Sequence, residues 1–245
     1  MAKRILICSG KGGAGKSTAA VCLAHALLAR GQRVLLIDCD AGLRTLDLLT
    51  GLGAEAVYTW LDAAESVCAP SDALLKTEDG RLGLMLPPPA DAALPDETAF
   101  SAVLGAVEGD FDFCLLDAPA GLAGFVPTLC CVSNAAVAVA TPDAVCVRAA
   151  SALGALLFAH IPEQEVRLLL NRFDYFQLRA HECLSPDSAV TQSGMRLIGA
   201  IPDDPHLRRL AEGDRPLAST RAAFARVAAR LLGEDVEFKV KKVRC

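Results

Sequence analysis

Seven short apolar runs punctuate the chain, at 4–8, 34–37, 82–86, 113–116, 135–140, 166–170 and 197–201. They are continuous rather than alternating, so each reads as a strand buried on both faces. Helical patterns occupy 16–30, 145–160 and 220–232. Buried strands separated by helices predict an α/β fold with a mostly parallel central sheet flanked by helices on both faces. The stretch 118–142 carries no charge, but Pro119, Gly121, Gly124, Pro127, Ser133, Asn134 and Pro142 divide it. A membrane span needs about 20 continuous apolar residues, so turn, helix, turn and buried strand are expected there instead. The proline-rich stretch from Pro87 to Pro95 reads as a surface connection. No internal repeat appears. The expectation is one domain over 1–235 and a short basic C-terminal tail over 236–245.

Composition narrows the function classes. Of 245 residues, 53% are apolar and 22% charged, which suits a packed core and excludes disorder. Aromatics at 5% exclude a stacking platform for single-stranded nucleic acid. A net charge of −5 makes DNA an unfavoured partner. The ten cysteines form no C-x-x-C pair, and most sit among Val, Leu and Ala, as apolar filler in a reducing, cytoplasmic setting. The apolar run after Lys3 and Arg4 is too short for a secretory signal. The histidines are scattered, Arg221, Arg226 and Arg230 read as a solvated helix face, and Tyr58 and Trp60 as local packing.

The loop after the first strand carries the chemistry. Gly10, Lys11, Gly12, Gly13, Ala14, Gly15, Lys16, Ser17 and Thr18 match G-x-x-x-x-G-K-[ST] between a strand and a helix. Glycines let backbone N–H groups converge on phosphate oxygens, and the helix start points its positive dipole end at the same anion. Lys16 would add charge at the β/γ-phosphates and Ser17 would ligate Mg²⁺. Gly10, Gly12 and Gly15 with Asp38 also satisfy a dinucleotide fingerprint, but that reading leaves Lys16 and Ser17 without a role. Asp117 ends an apolar strand, as does the carboxylate that holds a Mg²⁺-bound water in P-loop enzymes. Lys11 has no obvious target within its own chain, which makes a second molecule its candidate target.

These residues resemble the MinD/ParA family of deviant Walker A ATPases, and within it the MinD-type regulators of the cell-division site. The mark is Lys-Gly-Gly-x-Gly-Lys-[Ser/Thr], here Lys11 to Ser17. The segments 37–48 and 117–121 look like the family's two switches. Leu170, Asn171 and Arg172, with Ile201, Pro202, Asp203 and Asp204, look like its adenine side. The resemblance implies a three-layer P-loop NTPase, Mg²⁺-dependent ATP hydrolysis, and an ATP-dependent homodimer in which Lys11 reaches the partner's phosphates. It implies that Asp40 orients the attacking water, that Ser17, Asp38 and Asp117 serve the metal, and that Asn171, Arg172, Pro202 and Asp203 bind the adenine side. It further implies a regulator of the MinE or MinC kind that stimulates hydrolysis. Flagellar-number control and ParA-like positioning of DNA or cargo are the alternatives within the family.

Two departures stand out. Val236, Phe238 and Val240 alternate with charges, a strand-like pattern where relatives carry an amphipathic membrane helix. Lys239, Lys241, Lys242 and Arg244 nevertheless suit weak, reversible contact with an anionic membrane, peripheral at its inner face. After Arg148, Ala149, Ala150 and Ser151 stand where the family places acidic residues for partner docking.

Overall fold

The protein is described by a computed structural model covering residues 1–53 and 56–238. Eight strands form one sheet: β1 Lys3–Cys8, β2 Val34–Asp38, β3 Leu74–Lys76, β4 Leu82–Met85, β5 Phe113–Asp117, β6 Ala135–Ala140, β7 Val166–Phe173 and β8 Arg196–Pro202. Their order is β3-β4-β2-β5-β1-β6-β7-β8. Every pairing is parallel except β3 with β4. The expected α/β class is therefore realised. Strands β2, β5 and β6 are buried along their whole length, as continuous apolar runs require.

The helices are α1 Lys16–Leu28, α2 Thr45–Thr50, α3 Trp60–Ala64, α4 Glu97–Val107, α5 Val126–Val132, α6 Ala144–His160, α7 Tyr175–Arg179, α8 Pro186–Ser193 and α9 Ala218–Leu231. Two apolar cores result, one on each face of the sheet. On one face α1 packs against α2 and α9; on the other α3, α4, α5, α6 and α8 follow one another. Among the described residues no helix is long and apolar enough to cross a membrane. The uncharged stretch 118–142 folds as turn, α5, turn and β6, with Pro127 in the first turn of its helix.

Three expectations need correction. The stretch from Pro87 is not wholly a surface connection, because Pro87 and Pro88 are buried. Their segment underlies the loop after β2: the Gly42 N–H donates to the Pro88 carbonyl at 3.0 Å. Gly42 has φ 84°, and a Cβ there would stand 2.5 Å from the Ala90 Cβ, so only glycine fits. Arg230 is not a solvated cation. Its guanidinium donates to the carbonyls of Ile198, Val236 and Glu237 and lies 5.1 Å from the Phe238 ring centroid. It thereby fastens the chain leaving α9 to the edge strand. Trp60 packs far beyond its neighbourhood, as described below. The tail residues Lys239, Val240, Lys241, Lys242 and Arg244 lie outside the described residues.

Candidate nucleotide site

Parallel register brings the site together. Leaving β1, the chain turns into the glycine loop beside β5 and β6, its two neighbours. Asp117 pairs in register with Ile7 of β1 and with Asp38 of β2, so both carboxylates stand at the same carboxyl edge as the loop. Two backbone bonds tie the connections together: Cys39 N–H to the Asp117 carbonyl and Gly121 N–H to the Ser9 carbonyl, both 2.9 Å.

The loop is clamped at both ends and open in the middle. At Gly10 an added Cβ would lie 2.3 Å from the Ala149 carbonyl oxygen of α6. The chain approaches that helix too closely for any side chain. Gly15 caps α1 with φ 91°, and a Cβ there would meet the Asn171 amide at 2.4 Å. Asn171 is buried and its Nδ2 donates to the Ala14 carbonyl at 2.8 Å. Gly12 and Gly13 are exposed, with nothing within 4 Å of a Cβ position. An anion can therefore approach the backbone there and at the start of α1, where unpaired N–H groups and the helix dipole favour it.

Charge is distributed around this opening. Lys16 is buried, its Nζ 3.9 Å from Asp40 Oδ2. Burial raises the Asp40 carboxyl above its usual range, and Lys16 pulls it back. Asp38 is fully buried and accepts from the N–H groups of Asp40, Thr45 and Leu46 at 3.0–3.1 Å. Those bonds support the entry to α2, whose own N-cap, Arg44, supplies no side-chain bond. Asp38 thus holds the loop after β2 in shape. Burial pushes Asp117 up to about 7, opposed by the Lys16 charge and the nearby Ser17 hydroxyl. Neither Asp117 oxygen has a hydrogen-bond partner of ordinary geometry among the described residues. An uncompensated buried carboxylate beside Lys16 and Ser17 is the mark of a site built for a cation.

That donor set fits Mg²⁺ carried with a nucleotide. No group of three or more His, Cys, Asp or Glu that could hold a metal occurs among the described residues. Mg²⁺ needs no such cage when one hydroxyl, waters and phosphate oxygens supply its shell. Lys11 is exposed and makes no ion pair among the described residues.

On the other side of Gly15 lies a cleft of about 170 Å³, lined by Thr18, Asn171, Arg172, Asp203, Asp204 and Leu207 among others. The structure thus brings together the glycine loop, Asn171, Arg172 and Asp203. It does not bring in Pro202, which pairs with Phe173 at the end of β8. Asn171 reaches the cleft with one amide N–H bonded to the Ala14 carbonyl, and its carboxamide has a second N–H and an acceptor oxygen besides. Asp204, which the sequence placed only within the adenine-side segment, has a structural task. It is buried and accepts from the His206 and Leu217 N–H groups at 2.9 and 2.7 Å, closing the cleft's floor. The signal was present, since Asp before Pro205 is a helix N-cap followed by its preferred N1 residue.

The CobQ/CobB/MinD/ParA nucleotide-binding domain matches residues 5–217. The chain belongs to this family. It is 31% identical to the septum site-determining protein MinD of Bacillus subtilis over 250 residues, covering 98% of this chain and 92% of that protein. The MinD in the MinC:MinD cell division complex of Aquifex aeolicus superposes with a TM-score of 0.88 at 30% identity, covering 99% and 100% of the two chains. The Pyrococcus horikoshii septum site-determining protein MinD, complexed with Mg-ADP, gives 0.78 at 25%, covering 94% and 96%. Fold, loop and relatives make this chain a P-loop ATPase of the septum-site-determining type, with ATP and Mg²⁺ as its ligands.

Proposed function

We propose that the chain is an ATP-driven dimerisation switch, assembled with bound ATP and released by hydrolysis, that directs where the division septum forms. The observation that carries this is Lys11, an exposed cation on an otherwise complete phosphate loop, which makes no ion pair among the described residues and only a longer-range interaction with Asp143. A cation held ready on the rim of a nucleotide site suits the phosphates of a nucleotide in a second subunit. Arriving there it would act as an arginine finger does, a contribution of about 10³–10⁵ in rate.

Each residue then has a task. The backbone at Gly12, Gly13 and Gly15 receives phosphate oxygens, and Lys16 neutralises them. Ser17 binds Mg²⁺, with Asp117 behind it and Asp38 holding the adjoining loop. Bound there, Mg²⁺ would supply charge neutralisation at the phosphates. Asp40, beside Lys16 and two residues beyond that anchor, orients the attacking water. Arg172 and Asp203 border the base. Catalysis of this kind rests on positioning and electrostatics, with no covalent intermediate on the protein.

Two copies would also double the basic tail. Each Lys or Arg near an anionic surface contributes about 1 kcal/mol, so contact with the inner face of the membrane is reversible and favours the dimer. A regulator that stimulates hydrolysis, of the MinC or MinE kind, would act on the same assembled state.

The test is a sizing experiment. Asp40→Ala protein with Mg-ATP should elute as a dimer, and with ADP as a monomer. Adding Lys11→Ala should return it to monomer while fluorescent ATP still binds. A monomer in both cases would remove the switch reading and leave a nucleotide pocket.

A further inference from the structure

The single tryptophan of the chain sits under both connections that frame the nucleotide site. Trp60 is fully buried, and its indole N–H donates to the backbone carbonyl of Asp38 at 2.8 Å. Its ring stacks on Phe125, centroids 5.4 Å apart and planes 5° from parallel. Phe100 of α4 meets both rings edge-on, at 5.0 and 5.1 Å. Phe125 directly follows the loop that leaves Asp117, and Asp38 begins the loop that carries Asp40. One side chain therefore fastens the first loop by a hydrogen bond and the second by ring contact.

The placement of that hydrogen bond matters. The Asp38 carboxylate faces the loop and collects the N–H groups of Asp40, Thr45 and Leu46. Its carbonyl accepts from the Trp60 indole. A residue held at both its main chain and its side chain cannot rock, so the path from Asp38 to Asp40 is fixed. Position 60 is itself locked: the Trp60 N–H donates to the Leu86 carbonyl at 3.1 Å, and Thr59 and Asp62 form a capping box around the start of α3. A phenylalanine there would keep a ring, smaller than the indole, against Phe100 and Phe125. What the indole adds is one donor, delivered to one carbonyl beside the site.

We infer that Trp60 is a positioning residue for hydrolysis, which sets Asp40 through Asp38 and couples that loop to the one following Asp117. The inference rests on the reading of Asp40 as the residue that orients water. Because position 60 holds the only tryptophan, growth on β-(3-benzothienyl)alanine replaces that ring alone with an isostere lacking the N–H. The substituted protein should show a KM for ATP within about twofold of wild type and a kcat at least tenfold lower. Trp60→Phe, made in parallel, should show the same split if the isostere incorporates poorly. Phe125→Leu should also lower kcat, and combined with Trp60→Phe should cost less than the two effects multiplied. A kcat within twofold of wild type for the isostere or Trp60→Phe, with the fold intact by circular dichroism, overturns the inference. An equal change in KM and kcat would do so as well. Asp40→Ala is the control: if it hydrolyses ATP normally, the reading of the site fails, and if it is inactive while the isostere is not, only Trp60 loses its role.

Discussion

At the scale of single residues, Asp117 shows function set against stability. Burial that pushes the Asp117 carboxyl up to about 7, from an ordinary 3.8, keeps its proton on between those values while the unfolded chain releases it. Folding stability therefore falls as pH rises from about 4 to about 7, because the native state binds more protons there. The full penalty is on the order of 4 kcal/mol. Asp117→Asn removes it. Denaturant midpoints of nucleotide-free protein should drop between pH 5 and pH 8 for wild type and drop distinctly less for the variant, in which only Asp38 and Asp40 remain raised by burial. The same variant should lose at least tenfold in Mg²⁺-dependent hydrolysis, because the group that destabilises the empty site serves the metal. Wild-type and variant midpoints that move in parallel would show that Asp117 is compensated in solution.

At the scale of elements, the glycine loop separates two demands that the motif alone merges. Gly10→Ala drives a methyl into the Ala149 carbonyl, so the junction of β1 with α6 must shift. It should lower the melting temperature of the nucleotide-free protein, by a destabilisation of about 1–3 kcal/mol. Gly12→Ala meets nothing. It should leave that temperature unchanged, yet weaken binding of a fluorescent ATP analogue several-fold, since the methyl occupies space an anion would use. The sequence made this loop legible because its constraints are local: a strand, glycines free of side chains, a helix that starts at Lys16. The central strands were legible for a related reason, burial on both faces leaving apolar runs. Where partners lie far along the chain, the signal disappears. β3 is three residues of which none is fully buried, so no run marks it. Asn171 resembles a base-contacting residue, and its second task, an amide N–H bonded to Ala14, 157 positions away, leaves no mark in the sequence. Trp60 reads as local packing until the fold carries Asp38 and Phe125 to it. Pro87 and Pro88 carry the composition of a surface loop, and only the close pass of Gly42 buries them.

At the scale of the molecule, the parallel sheet brings three exposed apolar side chains to the edge that carries the phosphate loop. Leu43, Leu122 and Val145 are 66%, 42% and 64% exposed. They lie on the connections that follow β2, β5 and β6, which with β1 form the contiguous centre of the sheet. All three connections leave the carboxyl edge, where Lys11 and the phosphate loop also lie. Isolated exposed leucines need no explanation. Two leucines and a valine at the edge that also carries the exposed Lys11 form the rim a second copy would cover in the proposed dimer. A charge placed in that rim would be desolvated on assembly without touching the nucleotide of its own subunit. Leu122→Glu should therefore bind fluorescent ATP within about twofold of wild type and melt at the same temperature. In the Asp40→Ala background it should raise the dimer dissociation constant with Mg-ATP at least tenfold, which corresponds to about 1.4 kcal/mol. Phe238 lies beyond α9 against Arg230, away from this edge, so Phe238→Glu should leave dimerisation unchanged and is the matching control. If sedimentation shows both variants dimerising like the parent, the face that closes is a different one, and Lys11 must find its target without help from this rim.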